Sequence, residues 1–522
     1  MLVRLLLLLL LAASSECQSV GKEFVAVFLE NIAYYHPSSS NNYFRIIALH
    51  NDTQVDLKAD SMFSDSGKLA SGEIREFYVN PELELDKSQT SLKVVTIMAD
   101  KNISVEILSY RNSSVQTALL LPKDQLAQEY HLPPIPEIQR TTVPEADVTN
   151  AVTERSRFKV ILVNADQNQD NIIAVNGTAG FSITLKPKEV AQEWVEDSIA
   201  GKVISGTAPF LALFGHPCAI YANCTCGLLF TPMLPTKPTD AIYIIPPAFS
   251  ADIQVLMPSK GKRETLSSMR VNDPGPVVLQ RPGLLLNLIS EDDFGSCFAV
   301  HTVSDTQNWV VVMVPSDSTG HVHINTAIAD TTWSAVSDTK YSWAKIHLDP
   351  GKHIVWHESA LMAVWFIGEK VQSTMFGNPA ARLSIFPDYR GCVLSPEHVE
   401  ILTQQSSWQE SIQACRNLSL DLISLTDPTL QSNIYQKIQN HKDNLTDLWM
   451  GLRKSSYSGE WYWISEEPLQ HVDWAYGSPD EDDMRHCARI SRTDPQRLSW
   501  THHDCCSEAR PVCYRHPTLL TI

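Results

Sequence analysis

A chain of 522 residues exceeds what one ordinary hydrophobic core serves, since single cores stop growing near roughly 250–300 residues, so several folded units are expected. With 43% hydrophobic and 19% charged residues the composition is that of a globular protein, which excludes wholesale disorder even with 30 prolines. A formal net charge of -18 excludes a nucleic-acid partner, which would need clustered Lys and Arg to displace phosphate counterions.

The chain opens on Met1-Leu2-Val3-Arg4, an unbroken Leu5 to Leu11, and then Ala12-Ala13-Ser14-Ser15. Basic, apolar and small-residue zones in that order predict a secretory signal peptide over residues 1–17, cleaved near Ser15 or Cys17. The apolar run is far shorter than the roughly 20 residues a bilayer requires, and no second long apolar run follows, so no membrane span is expected. Removing Cys17 leaves ten of 11 cysteines, an even number suited to pairing in an oxidising compartment. On a secreted, extracellular chain the Asn-x-Ser/Thr sites at Asn51, Asn102, Asn112, Asn176, Asn223, Asn417 and Asn444 are candidate glycan acceptors.

From about Lys22 to Ser384, short runs of Val, Ile, Phe and Thr alternate with Asn, Asp, Gly and Pro, a strand-and-turn rhythm that predicts an all-β region. Phe24–Leu29, Val94–Met98, Val160–Val163 and Trp309–Val314 are continuously apolar, which predicts strands buried on both faces. Four segments, Ala99–Ile107, Ser205–Phe214, Val303–Val311 and Glu358–Trp365, each read as a small polar turn feeding an apolar strand. Glu129–Pro134 and Ile242–Pro247 both read as strands stopped by paired prolines. Repeated β-sandwich-like modules over 20–388 account for these echoes, with sub-modules 20–135, 151–247 and 248–388 and a Pro-rich connector from Pro133 to Asn150. Lys260-Gly261-Lys262-Arg263 reads as a solvated loop, with cleavage by a basic-specific protease as the sharper alternative.

Within this region, Gly21-Lys22-Glu23-Phe24-Val25, then Phe214-Gly215-His216-Pro217-Cys218-Ala219 with Cys226, Met233-Leu234-Pro235, and Asp349-Pro350-Gly351-Lys352-His353 before Met362-Ala363-Val364 occur in sequence order. In that order they resemble the N-terminal region of the IgG Fc-binding protein family. The resemblance implies a secreted, mucus-associated or extracellular binding module without catalytic function.

Helical spacing first appears after Tyr389-Arg390-Gly391-Cys392. Trp408, Ile412 and Cys415 fall at i, i+4 and i+7, and Leu430, Ile434 and Ile438 at four-residue steps behind the N-cap pair Asp427-Pro428, which predicts two amphipathic helices. A β-rich end follows, with Leu448-Trp449-Met450-Gly451-Leu452, Trp461-Tyr462-Trp463, Trp474 and closely spaced cysteines. The predicted class is therefore multidomain, all-β modules followed by an α+β domain over 390–515.

A Trp ahead of the first helix cysteine, a Trp-x-Gly-Leu strand, a Trp-x-Trp strand, a Gly-x-Pro loop and three spaced cysteines together resemble the C-type lectin domain. The resemblance implies Cys415–Cys513 and Cys487–Cys505 bridges, Cys505 being preferred to the adjacent Cys506, and a cis Ser478-Pro479 bond; a Cys392–Cys506 pair is the suggested third bridge. Bridges among Cys218, Cys224, Cys226 and Cys297 stay unassigned. The resemblance also brings in Ca²⁺, the one candidate cofactor, which takes six to eight oxygen ligands that sugar hydroxyls complete, but the departures at the matching positions leave calcium dependence doubtful and no cofactor is firmly expected. At the matching positions stand Ser478, Asp480, Arg485, Thr501 and His502, the candidate carbohydrate-binding residues, and only Asp480 is a strong oxygen ligand. A rearranged calcium set would draw on Asp480, Glu481, Asp482, Asp483 and Asp504; the bland reading of that acidic run is a solvated loop.

Zinc at Cys218, Cys224 and Cys226 or at His502-His503-Asp504 is the weaker reading, because cysteines of a secreted chain pair and adjacent histidines rarely face one site. No Gly-x-Ser-x-Gly elbow, His-Glu-x-x-His helix or paired carboxylates are recognisable, so no enzyme is expected. The expected partners are glycans or glycoproteins; the alternative is a structural role among mucus or matrix proteins in which the lectin-like domain binds protein and not sugar.

Overall fold

The computed structural model describes residues 19–32, 39–86, 88–111, 114–136, 158–175, 180–195, 201–222, 225–249, 253–265, 270–281, 283–370, 374–441, 445–480, 485–494 and 497–521. The signal-peptide segment, most of the connector, Asn112, Asn176, Asn223, Asn444, Cys224 and Glu481 to Asp483 lie outside the described residues. The chain divides into two compact units, one of residues 1–394 with 519–522, the other of residues 395–518. No helix among the described residues is long and apolar enough to cross a membrane.

The first unit is built of antiparallel β-modules. A seven-stranded sheet is organised around the 17-residue strand Val95–Arg111, which pairs with Gly21–Ala26 and Thr53–Ala59 through its first half and with Asn41–Ala48 and Ser114–Leu119 through its second. The next module faces a five-stranded sheet centred on Phe210–Ala222 and Lys159–Asn164 with a four-stranded sheet, Ser182–Leu185, Asn171–Val175, Val203–Gly206 and Glu129–His131. A four-stranded sheet of Lys262–Thr265, Gln254–Met257, Val278–Arg281 and Leu284–Asn287 precedes the last pair of five-stranded sheets, which contain Cys297–His301 and Gln307–Pro315.

Two of the four runs read as continuously apolar lie between two cores, whereas Phe24–Leu29 is buried within a single one. Along Lys159–Asn164, Ile161 and Val163 join one cluster while Val160 and Leu162 join another, as strict alternation of side chains requires when both faces are covered. Val311 and Met313 likewise pack against Phe249 and Trp365, whereas Val310, Val312 and Val314 pack with Phe298 and Val322. Met98 departs from the pattern and is exposed at one end of its apolar run. Ala99–Asn102 is also no turn. It lies inside Val95–Arg111 at a register irregularity, where the pairing steps from Met98 to Ile103, so a local bend replaces the expected reversal.

The cysteines of this unit pair as Cys218–Cys226 and Cys297–Cys392. The second bond corrects the expected Cys392–Cys506 pairing, and Cys506 is an exposed free thiol. Cys297 begins a strand flanked by Lys352–His357 and Ala381–Ser384, and Phe386 bridges back to Val393, which brings Cys392 within 5.5 Å (Cα to Cα) of Cys297. Lys260 sits in a tight turn with its ammonium on the Asn272 carbonyl and 3.5 Å from the Asp273 carboxylate, and Lys262–Thr265 continues into a paired strand. Asn51 and Asn102, two of the Asn-x-Ser/Thr sites, are exposed.

The second unit is α+β. Its elements are β1 (His398–Ile401), α1 (Trp408–Asn417), β2 (Asp421–Leu422), α2 (Pro428–Gln439), β3 (Asp447–Lys454), β4 (Trp461–Trp463), β5 (Cys487–Asp494), β6 (Arg497–His503) and β7 (Arg510–Arg515). Both helices begin where their caps dictate. Asp427 accepts the Leu430 N–H at 2.8 Å ahead of Pro428, and Ser407 and Glu410 form a reciprocal capping box that the periodicity alone did not reveal. Helix α2 buries Leu430, Ile434 and Ile438. Strands β3 and β7 run parallel at the centre, with β1 on the far side of β7 and β5 and β6 beyond β3. Gly451 is required in β3, because a Cβ there would stand 2.8 Å from the Leu422 carbonyl oxygen. The bridges Cys415–Cys513 and Cys487–Cys505 tie α1 to β7 and β5 to the turn after β6.

Candidate functional site

The loop between β4 and β5 carries the candidate residues, and its path is set by β6. Trp500 accepts the Ala475 N–H and donates its own N–H to the Asp473 carbonyl, so Asp473 to Ala475 runs beside β6. The carboxylate of Asp473 anchors the start of the loop. Gln431 and Tyr435 of α2 donate to its Oδ2 at 3.0 and 3.2 Å, and Arg497 pairs with its Oδ1 at 3.0 Å. Burial and then the Asp473 charge push the Tyr435 hydroxyl pKa up, so it stays a donor.

A strand alternates its side chains, so His502, two residues beyond Trp500, faces the same side and reaches the loop where it turns at the cis Ser478–Pro479 bond. The imidazole is buried, its side chain 3% exposed. Its Nε2 lies 2.6 Å from Asp480 Oδ1 and its Nδ1 3.2 Å from Ser478 Oγ. The 2.6 Å contact is that of an Nε2–H donating to the carboxylate, the Asp480 backbone nitrogen lies 3.4 Å from the same ring nitrogen, and Nδ1 shares a hydrogen bond with the Ser478 hydroxyl. Asp480 Oδ2 faces Arg485 at 3.5 Å.

Ser478, Asp480, Arg485 and His502 therefore come together, as four of the five candidates. Thr501 does not join them. It lies on the other face of β6, where its hydroxyl contacts Ser491 and the Nε2 of His503. Burial, then the Arg489 charge, holds the His503 imidazole below its usual pKa. Asp504 caps the turn after β6 by accepting the Cys506 N–H at 2.9 Å. Among the described residues no group of three His, Cys, Asp or Glu side chains converges as a metal site.

The described donor set does not fit Ca²⁺. The one carboxylate at a matching position already faces an imidazole and a guanidinium, and the second matching side chain offers nitrogen where the cation favours oxygen. A guanidinium beside that carboxylate adds a positive charge of its own.

Two features of this face were not singled out from sequence. One is Asp473, whose anchoring role depends on partners 38 and 42 residues away. The other is Tyr476, fully solvent-exposed at 108% immediately before Gly477; an aromatic residue next to a turn glycine was the available signal. Behind the loop Trp474 packs on Trp461 at 4.7 Å and edge-on to Trp500 at 5.7 Å between ring centroids.

Residues 404–515 match the family model described as Lectin C-type domain. The chain is 31% identical over 111 residues to C-type mannose receptor 2 of Mus musculus, covering 21% of this chain and 7% of that protein. It is 26% identical over 244 residues to IgGFc-binding protein of Homo sapiens, covering 45% of this chain and 4% of that protein. The chain thus spans only a small part of these relatives' own lengths. Among solved structures, the cow C-type carbohydrate-recognition domain of CD23 is similar at 25% identity, with a TM-score of 0.21, over 23% of this chain and 89% of that one. The C-type lectin domain is a recognition fold and not a catalytic one. The chain carries a C-type lectin-like domain at its C-terminal end and, ahead of it, a β-rich region that resembles IgGFc-binding protein.

Proposed function

We propose that this is a secreted recognition protein whose lectin-like domain binds glycans or glycoproteins through the face formed by Tyr476, the cis-proline loop and the end of β6. The observation that carries the reading is the stance of Tyr476, wholly in solvent on a loop anchored at both ends, by Asp473 and by Asp480. An aromatic side chain so placed offers a flat apolar surface with a polar tip at low conformational cost, a combination suited to ligand contact. The signal-peptide-like pattern of residues 1–17 and the four disulfides among the described residues support an extracellular setting.

A glycan array probed with the full chain and with Tyr476→Ala tests this. Binding is expected for the parent and a drop of about tenfold or more for the variant, the loss of one contact of roughly 1.4 kcal/mol or above. No glycan signal, or equal signal from both proteins, would reject it. The second reading, a protein ligand on the same face among mucus or matrix components, is favoured by the single carboxylate left at the matching cation positions. Binding to a glycoprotein that free sugar does not compete away would select it.

A further inference from the structure

We infer that the imidazole of His502 organises the recognition loop in place of a cation, so that the face is set without calcium. The inference rests on the reading of this face as the ligand site only for its consequence; the staple itself rests on geometry. A cation in such a loop gathers oxygens from the loop and the neighbouring strand around one charge. Here His502, projecting from β6, touches the loop on both sides of the cis-proline bond: Ser478 Oγ at 3.2 Å before it and Asp480 Oδ1 at 2.6 Å after it.

Both ring nitrogens have hydrogen-bond partners, Nε2 on Asp480 and Nδ1 on Ser478, so coordination of a metal would first break one of these bonds. The carboxylate is similarly committed, Oδ1 to the imidazole and Oδ2 to Arg485. The side chain of His502 is buried, which shields its bond to the carboxylate from competition by water. At the other end Asp473 holds the loop to α2 and Arg497 by three further bonds. Pinned at positions 473, 478 and 480, the segment bearing Tyr476 has little backbone left to order on ligand binding. Ligand contact then falls to the aromatic ring and to hydrogen-bonding groups, with no metal–hydroxyl bond.

The test uses the full chain and two readouts that need no sugar. Thermal unfolding in millimolar calcium chloride and in EGTA is expected to give coincident transitions; a transition raised by calcium and lowered by chelator would overturn the inference. Hydrogen exchange of the peptide spanning Trp474 to Asp480 is expected to run roughly tenfold faster in His502→Ala, the factor supplied by one charge-assisted hydrogen bond. His503→Ala, on the opposite face of β6, is expected to leave that peptide unchanged. Loop exchange in His502→Ala equal to that of the parent would overturn the staple. Exchange of α1 and β3 peptides reports whether a variant folds; should His502→Ala fail, Asp480→Asn removes the charge with the smallest change in shape and is read against the same expectation. An array without any glycan signal, alongside calcium-independent melting and faster loop exchange, would sink the sugar reading and leave the staple standing.

Discussion

Replacing Cys392 by Ser puts the two candidate disulfide patterns in direct competition. In the structure Cys392 closes a loop of 95 residues with Cys297, and both are buried beside Ile354, Trp356, Leu383 and Leu520. Closing a loop of that length removes roughly 4.7 kcal/mol of unfolded-state entropy at 25 °C in the chain-entropy model, and losses measured for native disulfides run at about 2–5 kcal/mol. Cys392→Ser is therefore expected to lower the stability of the β-rich unit by about 2–4 kcal/mol in urea titrations. Cys506→Ser, an exposed thiol with no bond to lose, is expected to stay within about 0.5 kcal/mol of the parent. Non-reducing peptide mapping supplies the direct readout. A Cys297 peptide linked to a Cys392 peptide agrees with the structure. A Cys392 peptide linked to the Cys506 peptide, or equal destabilisation by both substitutions, would refute the argument.

Asp86 is held at a pKa of about 2, below its ordinary 3.8, by hydrogen bonds from the Ser88 side chain and N–H and then from Lys93. A depressed carboxylate stabilises the fold above its unfolded value, so this contribution is complete above pH 3.8 and is lost as pH falls towards 2. The shift is worth roughly 2.4 kcal/mol unscreened; the Asp86 side chain is 55% exposed, so Asp86→Asn is expected to lower stability at pH 7 by under about 1 kcal/mol, with the difference vanishing in acid. Equal differences at both pH values in urea titrations would contradict this. Trp365, fully buried against Phe249 with its indole N–H on the Asn287 carbonyl at 3.2 Å, is expected to cost about 3–5 kcal/mol as Trp365→Ala, and a loss below about 1 kcal/mol would mean that this core is not packed as described. Asp427→Ala removes the cap of α2 and is expected to destabilise the lectin-like unit by about 1 kcal/mol in thermal unfolding, whereas an unchanged midpoint would show that the cap contributes nothing.

What the sequence by itself determined is the part governed by local rules. Side-chain period placed α1 and α2, the Asp427-Pro428 pair placed the start of α2, and uninterrupted apolar runs marked Lys159–Asn164 and Gln307–Pro315 as strands covered on both faces. Family resemblance, a pattern of several residues at once, carried the lectin-like domain, its two bridges and the cis-proline bond. What only the tertiary structure decided is each pairing across distance. The partner of Cys392 depends on which strands flank Cys297, a matter of sheet register and not of spacing. Ala99–Asn102, polar enough for a turn, is carried through as strand because its flanks are paired, Thr53–Ala59 up to Ala99 and Asn41–Ala48 from Ile103 onward. At the loop, His502 was legible as a poor calcium ligand. Its bonds to Ser478 and Asp480 were not, because a side chain separated from its partners by 24 and 22 residues meets them only once β6 and the loop lie side by side.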